Sequence, residues 1–165
     1  MEKKMKIVDG KLRFWYGDIQ PRIDCQELCD LTIGLCILKP DITYLKLKDT
    51  ITDILSEKLS ICLEKKFTFN EKLIFDMYPG FHELKWANDL KKYLLSDVSH
   101  ALILTGPDVI NELNEIKNHV RHLYKHTEGN IINLMHTSDT TEDTLRESLL
   151  LFKKESIINA IKAKI

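Results

Sequence analysis

The residues best suited to chemistry lie together in "NLMHTSDTTEDTLRE", Asn133 to Glu147. An apolar run there ends on His136, then passes through small and acidic residues into a helix. Imidazole is a good nucleophile near neutral pH, because its unperturbed pKa leaves much of it uncharged. A helix start beside it offers unpaired N–H groups and a partial positive charge, which suits a phosphate. Glu147, on the second turn of that helix, is placed to fold back and orient the ring. Ser138 and Asp139 fill the turn between them. On spacing alone the same residues also fit an ordinary strand-end histidine followed by a capped helix.

A second group sits in "KNHVRHLYKH", where Lys117, Arg121, His122 and Lys125 crowd one or two faces of a helix leading toward His136. They read either as a solvated basic face or as phosphate contacts. His119, His122 and His126, at i, i+3 and i+7, have the spacing of divalent-metal ligands, but no carboxylate or cysteine completes a set and no metal ligands are assigned. Cys25, Cys29, Cys36 and Cys62 form no CxxC pair, and reduced thiols are expected.

The elements that must position these residues follow from composition and periodicity. The chain has 165 residues, 44% hydrophobic and 30% charged, enough for one well-cored domain with some surplus. A formal net charge of −1 argues against broad affinity for nucleic acid or membrane. The N-terminus lacks an apolar h-region and no apolar run reaches the length of a bilayer span, so a soluble, cytoplasmic protein is expected. "KIVDGKLRFWYG" reads as a hairpin around Asp9-Gly10, within an N-terminal extension of residues 1–30. The domain proper spans 31–165.

Within it, Ile33 to Leu38 reads as a buried strand stopped by Pro40. Leu47, Ile51, Ile54 and Leu55 have helical spacing. Ile61, Leu63, Lys65, Phe67 and Phe69 alternate as in a half-buried strand. Asn70 caps the next helix, and Pro79-Gly80 separates it from another over 82–94. "HALILTG" is a further strand, Pro107 opens a long helix, and "NIINLMH" is a last short strand ending at His136. Thr140 and Asp143 form a capping box, with Leu145, Leu149 and Phe152 as the buried face behind it. The order β-α-β-α-α-β-α-β-α predicts an α+β fold. It is a ferredoxin-like βαββαβ sandwich with a four-stranded antiparallel sheet, an added helix pair, a C-terminal helix, and helices on one face.

"NLMHTSDTTEDTLRESLLLF" resembles the active-site segment of nucleoside diphosphate kinases, which usually reads N-I-I-H-G-S-D-S before a helix carrying a glutamate. Asn133, His136, Ser138, Asp139 and Glu147 match it at the same spacings. "LCILKPD" resembles the family's first strand and places its lysine at Lys39. The spacing from Tyr78 through "PG" to Gly106 matches without a gap, putting Tyr78 on the active-site tyrosine and Trp86 where an aromatic side chain stacks on the base. The resemblance covers roughly residues 31–152.

The chain also departs from that pattern. Thr137 replaces the glycine after the histidine, and Asn114 stands where the family has an arginine. The segment between Gly106 and His136 is shorter than usual, which removes most of the loop that carries a phosphate-binding threonine. Arg121 lies two places out of register with a second family arginine.

The resemblance implies a phosphotransferase. The γ-phosphate of a nucleoside triphosphate would pass to His136 and on to a nucleoside diphosphate or related acceptor. Lys39 and Tyr78 would handle the phosphoryl group, Glu147 would set the imidazole, and Asn133 would bond sugar or phosphates. Trp86 would stack on the base, and Mg²⁺ would enter on the nucleotide phosphates. The alternative is a nucleotide-binding protein of the same fold that no longer turns over, acting as sensor or partner subunit. Family members are oligomers, and a homodimer is expected through "ICLEKKFTF" and the preceding helix, with a higher oligomer less favoured by the shortened loop.

Overall fold

Two sheets pair the strands expected from the sequence. The structure, a computed structural model, describes residues 3–8, 11–16, 33–124 and 132–164. β1 (Lys3–Val8) and β2 (Lys11–Tyr16) pair antiparallel with Val8 opposite Lys11. The Asp9-Gly10 turn expected between them lies outside the described residues, as do Cys25, Cys29, Lys125 and His126.

The second sheet carries β3 (Ile33–Leu38), β4 (Ser60–Phe67), β5 (Ser99–Thr105) and β6 (Met135–Thr137) in the order β4-β5-β3-β6, every pairing antiparallel. That order and connectivity are those of a ferredoxin-like α+β fold. Around it lie α1 (Pro40–Tyr44), α2 (Lys48–Ser56), α3 (Glu71–Met77), a 3₁₀ turn (Phe81–Glu83), α4 (Ala87–Leu94), α5 (Val109–Leu123), α6 (Thr141–Leu151) and α7 (Lys154–Lys162).

Helices cover both faces of this sheet, not one as expected. Leu35, Ile37, Ala101 and Ile103 pack on one side with Ile74, Met77, Phe81, Leu94, Leu145 and Ile157. The alternate residues Cys36, Leu38, Leu102 and Leu104 pack on the other with Ile51, Leu55, Leu113 and Val120. β3 is therefore buried along its whole length, which is why it reads as a continuous apolar run. Each such aliphatic side chain contributes roughly 1.5–3 kcal/mol relative to exposure. α5 lies close on β3 because residue 34 is glycine: a Cβ there would stand 2.5 Å from Leu113 Cδ1 and 2.8 Å from Val109 Cγ2.

Several local expectations need correction. The helix expected from Leu47, Ile51, Ile54 and Leu55 forms as α2, but a further short helix, α1, precedes it, set apart by Lys46, which turns left-handed at φ 58°. Alternation along β4 is broken by a bulge between Ile61 and Leu63, which sends those two residues to opposite faces. The strand ends at Phe67. Phe69 turns into the core, only 2% exposed, with its ring 5.0 Å from that of Phe67. The helix expected over 82–94 starts at Ala87, after the 3₁₀ turn that Gly80, at φ 88°, opens. α5 begins two residues after Pro107.

On α6 the buried face is Thr144, Leu145, Glu147, Ser148 and Leu151, and Leu149 points to solvent. β6 covers only Met135–Thr137, so His136 is its central residue rather than its end. Other expectations hold. Asn70 accepts from Leu73 N–H at 2.8 Å, and Thr140 accepts from Asp143 N–H at 3.1 Å. Among the described residues no helix is long and apolar enough to cross a membrane. Cys36 and Cys62 are free thiols.

Candidate active site

His136 pairs with Ile37 of β3, which directs its side chain to the face covered by α3 and α6. Its Nε2 lies 2.9 Å from Glu147 Oε2. A carboxylate only accepts, so Nε2 carries a proton, and in the neutral form of the ring the lone pair is on Nδ1. Nδ1 makes no hydrogen bond among the described residues, and 19% of the side chain remains exposed. Ser138 donates its hydroxyl to the same Glu147 oxygen.

Burial alone would raise the Glu147 carboxyl. The charge and hydrogen bond of His136, the charge of Arg146 and the Ser138 hydroxyl more than offset it, holding the group below the usual carboxylate range. A buried, ionised carboxylate is thereby fixed against the ring. Arg146 also donates to Asp76 O at 2.6 Å and approaches Met77 O at 3.5 Å, tying α6 to the end of α3 just before Tyr78. The Tyr78 ring stands edge-on to the imidazole, centroids 5.6 Å apart. Its hydroxyl is buried with no hydrogen-bond partner among the described residues, and burial, then the Glu147 charge, push its pKa up. A buried phenol left as an unused donor is costly unless something else accepts from it.

Lys39 follows β3 and is 5% exposed. Its Nζ donates to Asn133 Oδ1 at 2.7 Å and lies 6.0 Å over the Tyr93 ring. Burial first, then Arg121 and Lys117, pull its pKa down to about 7, while Asp41 opposes the change. Arg121 donates to Asn133 O at 3.1 Å and Met135 O at 2.8 Å, gripping the chain on both sides of Leu134. So Lys39, Asn133 and Arg121 form one contact group at the start of β6.

On the opposite face of β6, Thr137 donates to Asn114 Oδ1 at 3.2 Å. Two of the departures from the resembled motif, Thr137 and Asn114, are thus in contact with each other. Lys117, one turn along α5, donates to the same oxygen at 3.0 Å and lies 3.9 Å from Asp139 Oδ1. Asn114, Lys117 and Arg121 occupy one stripe of α5 at i, i+3 and i+7. His119 and His122 are exposed on other faces of that helix. Among the described residues no group of three or more His, Cys, Asp or Glu is arranged to hold a metal ion.

Trp86 is the predicted site residue outside this network. It is the N-cap residue of α4, 42% exposed. Sequence reasoning missed Asp41, Tyr93 and Arg146. Asp41 was visible only as the last letter of "KPD", and no local periodicity marks the other two.

The family model described as nucleoside diphosphate kinase matches residues 33–157. No curated protein matches the chain significantly. Among solved structures, the chain resembles the nucleoside diphosphate kinase of Aquifex aeolicus, at 23% identity and TM-score 0.66, covering 75% of this chain and 96% of that one. It resembles the Encephalitozoon cuniculi enzyme at 16% identity and TM-score 0.69, covering 76% and 92%. The NDP kinase of Pyrobaculum aerophilum gives 19% identity and TM-score 0.64, covering 78% and 99%. At these identities the structural likeness speaks for the fold.

Proposed function

The chain belongs to the nucleoside diphosphate kinase family, and from that premise we propose that it moves a γ-phosphate from a nucleoside triphosphate, through His136, to a nucleoside diphosphate or related acceptor. The observation that carries this reading is the His136–Glu147 contact, which commits Nε2 and leaves Nδ1 as the nucleophile. In the first half-reaction the Nδ1 lone pair forms a bond to the γ-phosphorus. The bond from that phosphorus to the β–γ bridging oxygen breaks, and nucleoside diphosphate departs with the electron pair. The acceptor's terminal phosphate oxygen reverses the process. The Nε2 proton stays with the ring, and Glu147 stabilises the positive charge that the ring acquires.

Around this centre Lys39, Arg121 and Lys117 supply positive charge for the phosphates, with Lys117 standing in for the arginine that Asn114 replaces. Asn133 presents Lys39, and the Tyr78 hydroxyl donates to a phosphate oxygen. Ser138 and Asp139 shape the turn above the helix start. This donor set is cationic and suits phosphate oxygens, so Mg²⁺ is proposed to enter on the nucleotide, where it neutralises phosphate charge. The residue range 1–30 is proposed as an extension outside the catalytic domain 31–165, in a cytoplasmic protein.

Incubation with γ-labelled ATP, Mg²⁺ and a panel of unlabelled nucleoside diphosphates tests the proposal. Label should appear in the second nucleoside triphosphate. The second reading, a binder without turnover, is favoured by Asn114 and predicts nucleotide binding with no labelled product.

Trp86, exposed at the start of α4, is proposed to stack on the base, a contact worth roughly 1–3 kcal/mol by analogy with single-strand binders. Trp86→Ala is therefore expected to weaken nucleotide affinity about tenfold or more by calorimetry. Unchanged affinity would place the base elsewhere.

A homodimer belongs to the same proposal. Among the described residues β4 is an edge strand, and the N–H and C=O groups on its outer side, unpaired within that sheet, invite pairing across a two-fold axis. Phe69, buried in the core, takes no part in that edge. Light scattering should give twice the mass of one chain; a monomer or hexamer at micromolar concentration would contradict it.

A further inference from the structure

Leu134, two residues before His136, has φ 71°, a left-handed conformation that a branched side chain rarely adopts. Both polar groups of its backbone are held by one short segment at the end of β3. Lys39 N–H donates to Leu134 O at 2.8 Å, and Leu134 N–H donates to Asp41 Oδ2 at 2.8 Å. The other Asp41 oxygen accepts the Tyr93 hydroxyl of α4 at 2.5 Å. Asp41 is 1% exposed and Leu134 fully buried, so water does not compete for these bonds. From the held residue the chain continues backward to Asn133, which binds Lys39, and forward to Met135 and His136.

We propose that Asp41 is a positioning residue: through Leu134 it sets Asn133, and hence Lys39, relative to His136. The proposal rests on the reading of Lys39 and His136 as the groups that handle phosphate. Asp41 acts in two separable ways. Its hydrogen bonds lock the left-handed turn, without which β6 would start earlier and His136 would shift along β3. Its charge favours the ammonium form of Lys39, which faces Arg121 and Lys117 from α5, the Tyr93 ring from α4 and Asn133 from the segment before β6.

Three variants separate these actions: Asp41→Ala, Asp41→Asn and Tyr93→Phe. In Asp41→Ala the Leu134 amide should exchange with solvent at least about tenfold faster, while the amides of Leu102 and Ile103 in the sheet centre keep their protection. The kcat of phosphoryl transfer should fall roughly tenfold to hundredfold, the scale of a small misplacement of reacting groups. Asp41→Asn can still accept from Leu134 and donate to Tyr93. It should keep Leu134 protected and most of kcat, but move the alkaline limb of kcat/KM to lower pH. Tyr93→Phe, which removes one tie and leaves the charge, should loosen Leu134 modestly and leave the pH limb in place. Wild-type Leu134 exchange in Asp41→Ala, or a lowered Tm with unchanged kcat and pH profile, would overturn the proposal. If wild type transfers no phosphate, the proposed function fails, and Leu134 exchange alone then decides whether Asp41 holds the turn.

Discussion

Replacing His136 with alanine is expected to reduce phosphoryl transfer by at least roughly 10⁴-fold, the scale seen when a nucleophile is removed from a site that otherwise stays intact. The loss should fall on kcat. His136 is part-exposed on a strand held by Ile37, and its ring is not a core filler, so the variant should fold. Glu147 would keep Ser138 and Arg146 as partners, which limits the cost of leaving it buried. Nucleotide affinity by calorimetry should change little, because the cations and Trp86 remain. Turnover within about tenfold of wild type would mean that the phosphate does not pass through this ring.

The second large effect concerns Lys39. Removing a preorganised donor from a charged transition state costs on the order of 10²–10³ in rate, and Lys39→Met is expected to lose that much kcat/KM. The pH profile adds a signature. With its pKa pulled down to about 7, Lys39 in the free protein is charged below that pH and neutral above it. If the ammonium form is the one that receives phosphate, kcat/KM should fall as pH rises through about 7. Bound phosphate favours the charged form, so the corresponding fall in kcat should lie at higher pH. In Lys39→Met that alkaline limb should vanish. A rate loss with the limb intact would assign the titration to another group.

Local chemistry made much of this legible. β3 was readable to the residue because a continuous apolar run ends on proline, and Asn70 and Thr140 were readable because a cap needs only its own turn. Glu147 was placed near His136 by helical spacing, and the structure brings them together. Lys39, Tyr78 and Trp86 had no such local signal and rested on resemblance. What stayed hidden depends on contacts between distant segments. Leu134 turns left-handed with its N–H held by Asp41, 93 residues away, and no window around "NLMH" contains that carboxylate. Arg121 looked out of register, yet its long side chain reaches the Asn133 and Met135 carbonyls. The bulge in β4 arises from packing, which period-two alternation does not encode, whereas the unbroken apolar run of β3 did carry the signal of helices on both faces of the sheet.

The central claim is that phosphate rests on one particular nitrogen, and mapping the linkage tests it most directly. The chain should be incubated with Mg²⁺ and a nucleoside triphosphate, digested under alkaline conditions and analysed by mass spectrometry and ³¹P NMR. A single phosphate is predicted, on the peptide that contains His136 and bonded to Nδ1, because Glu147 occupies Nε2. Phosphate on Nε2, on any other residue, or on none would contradict the account.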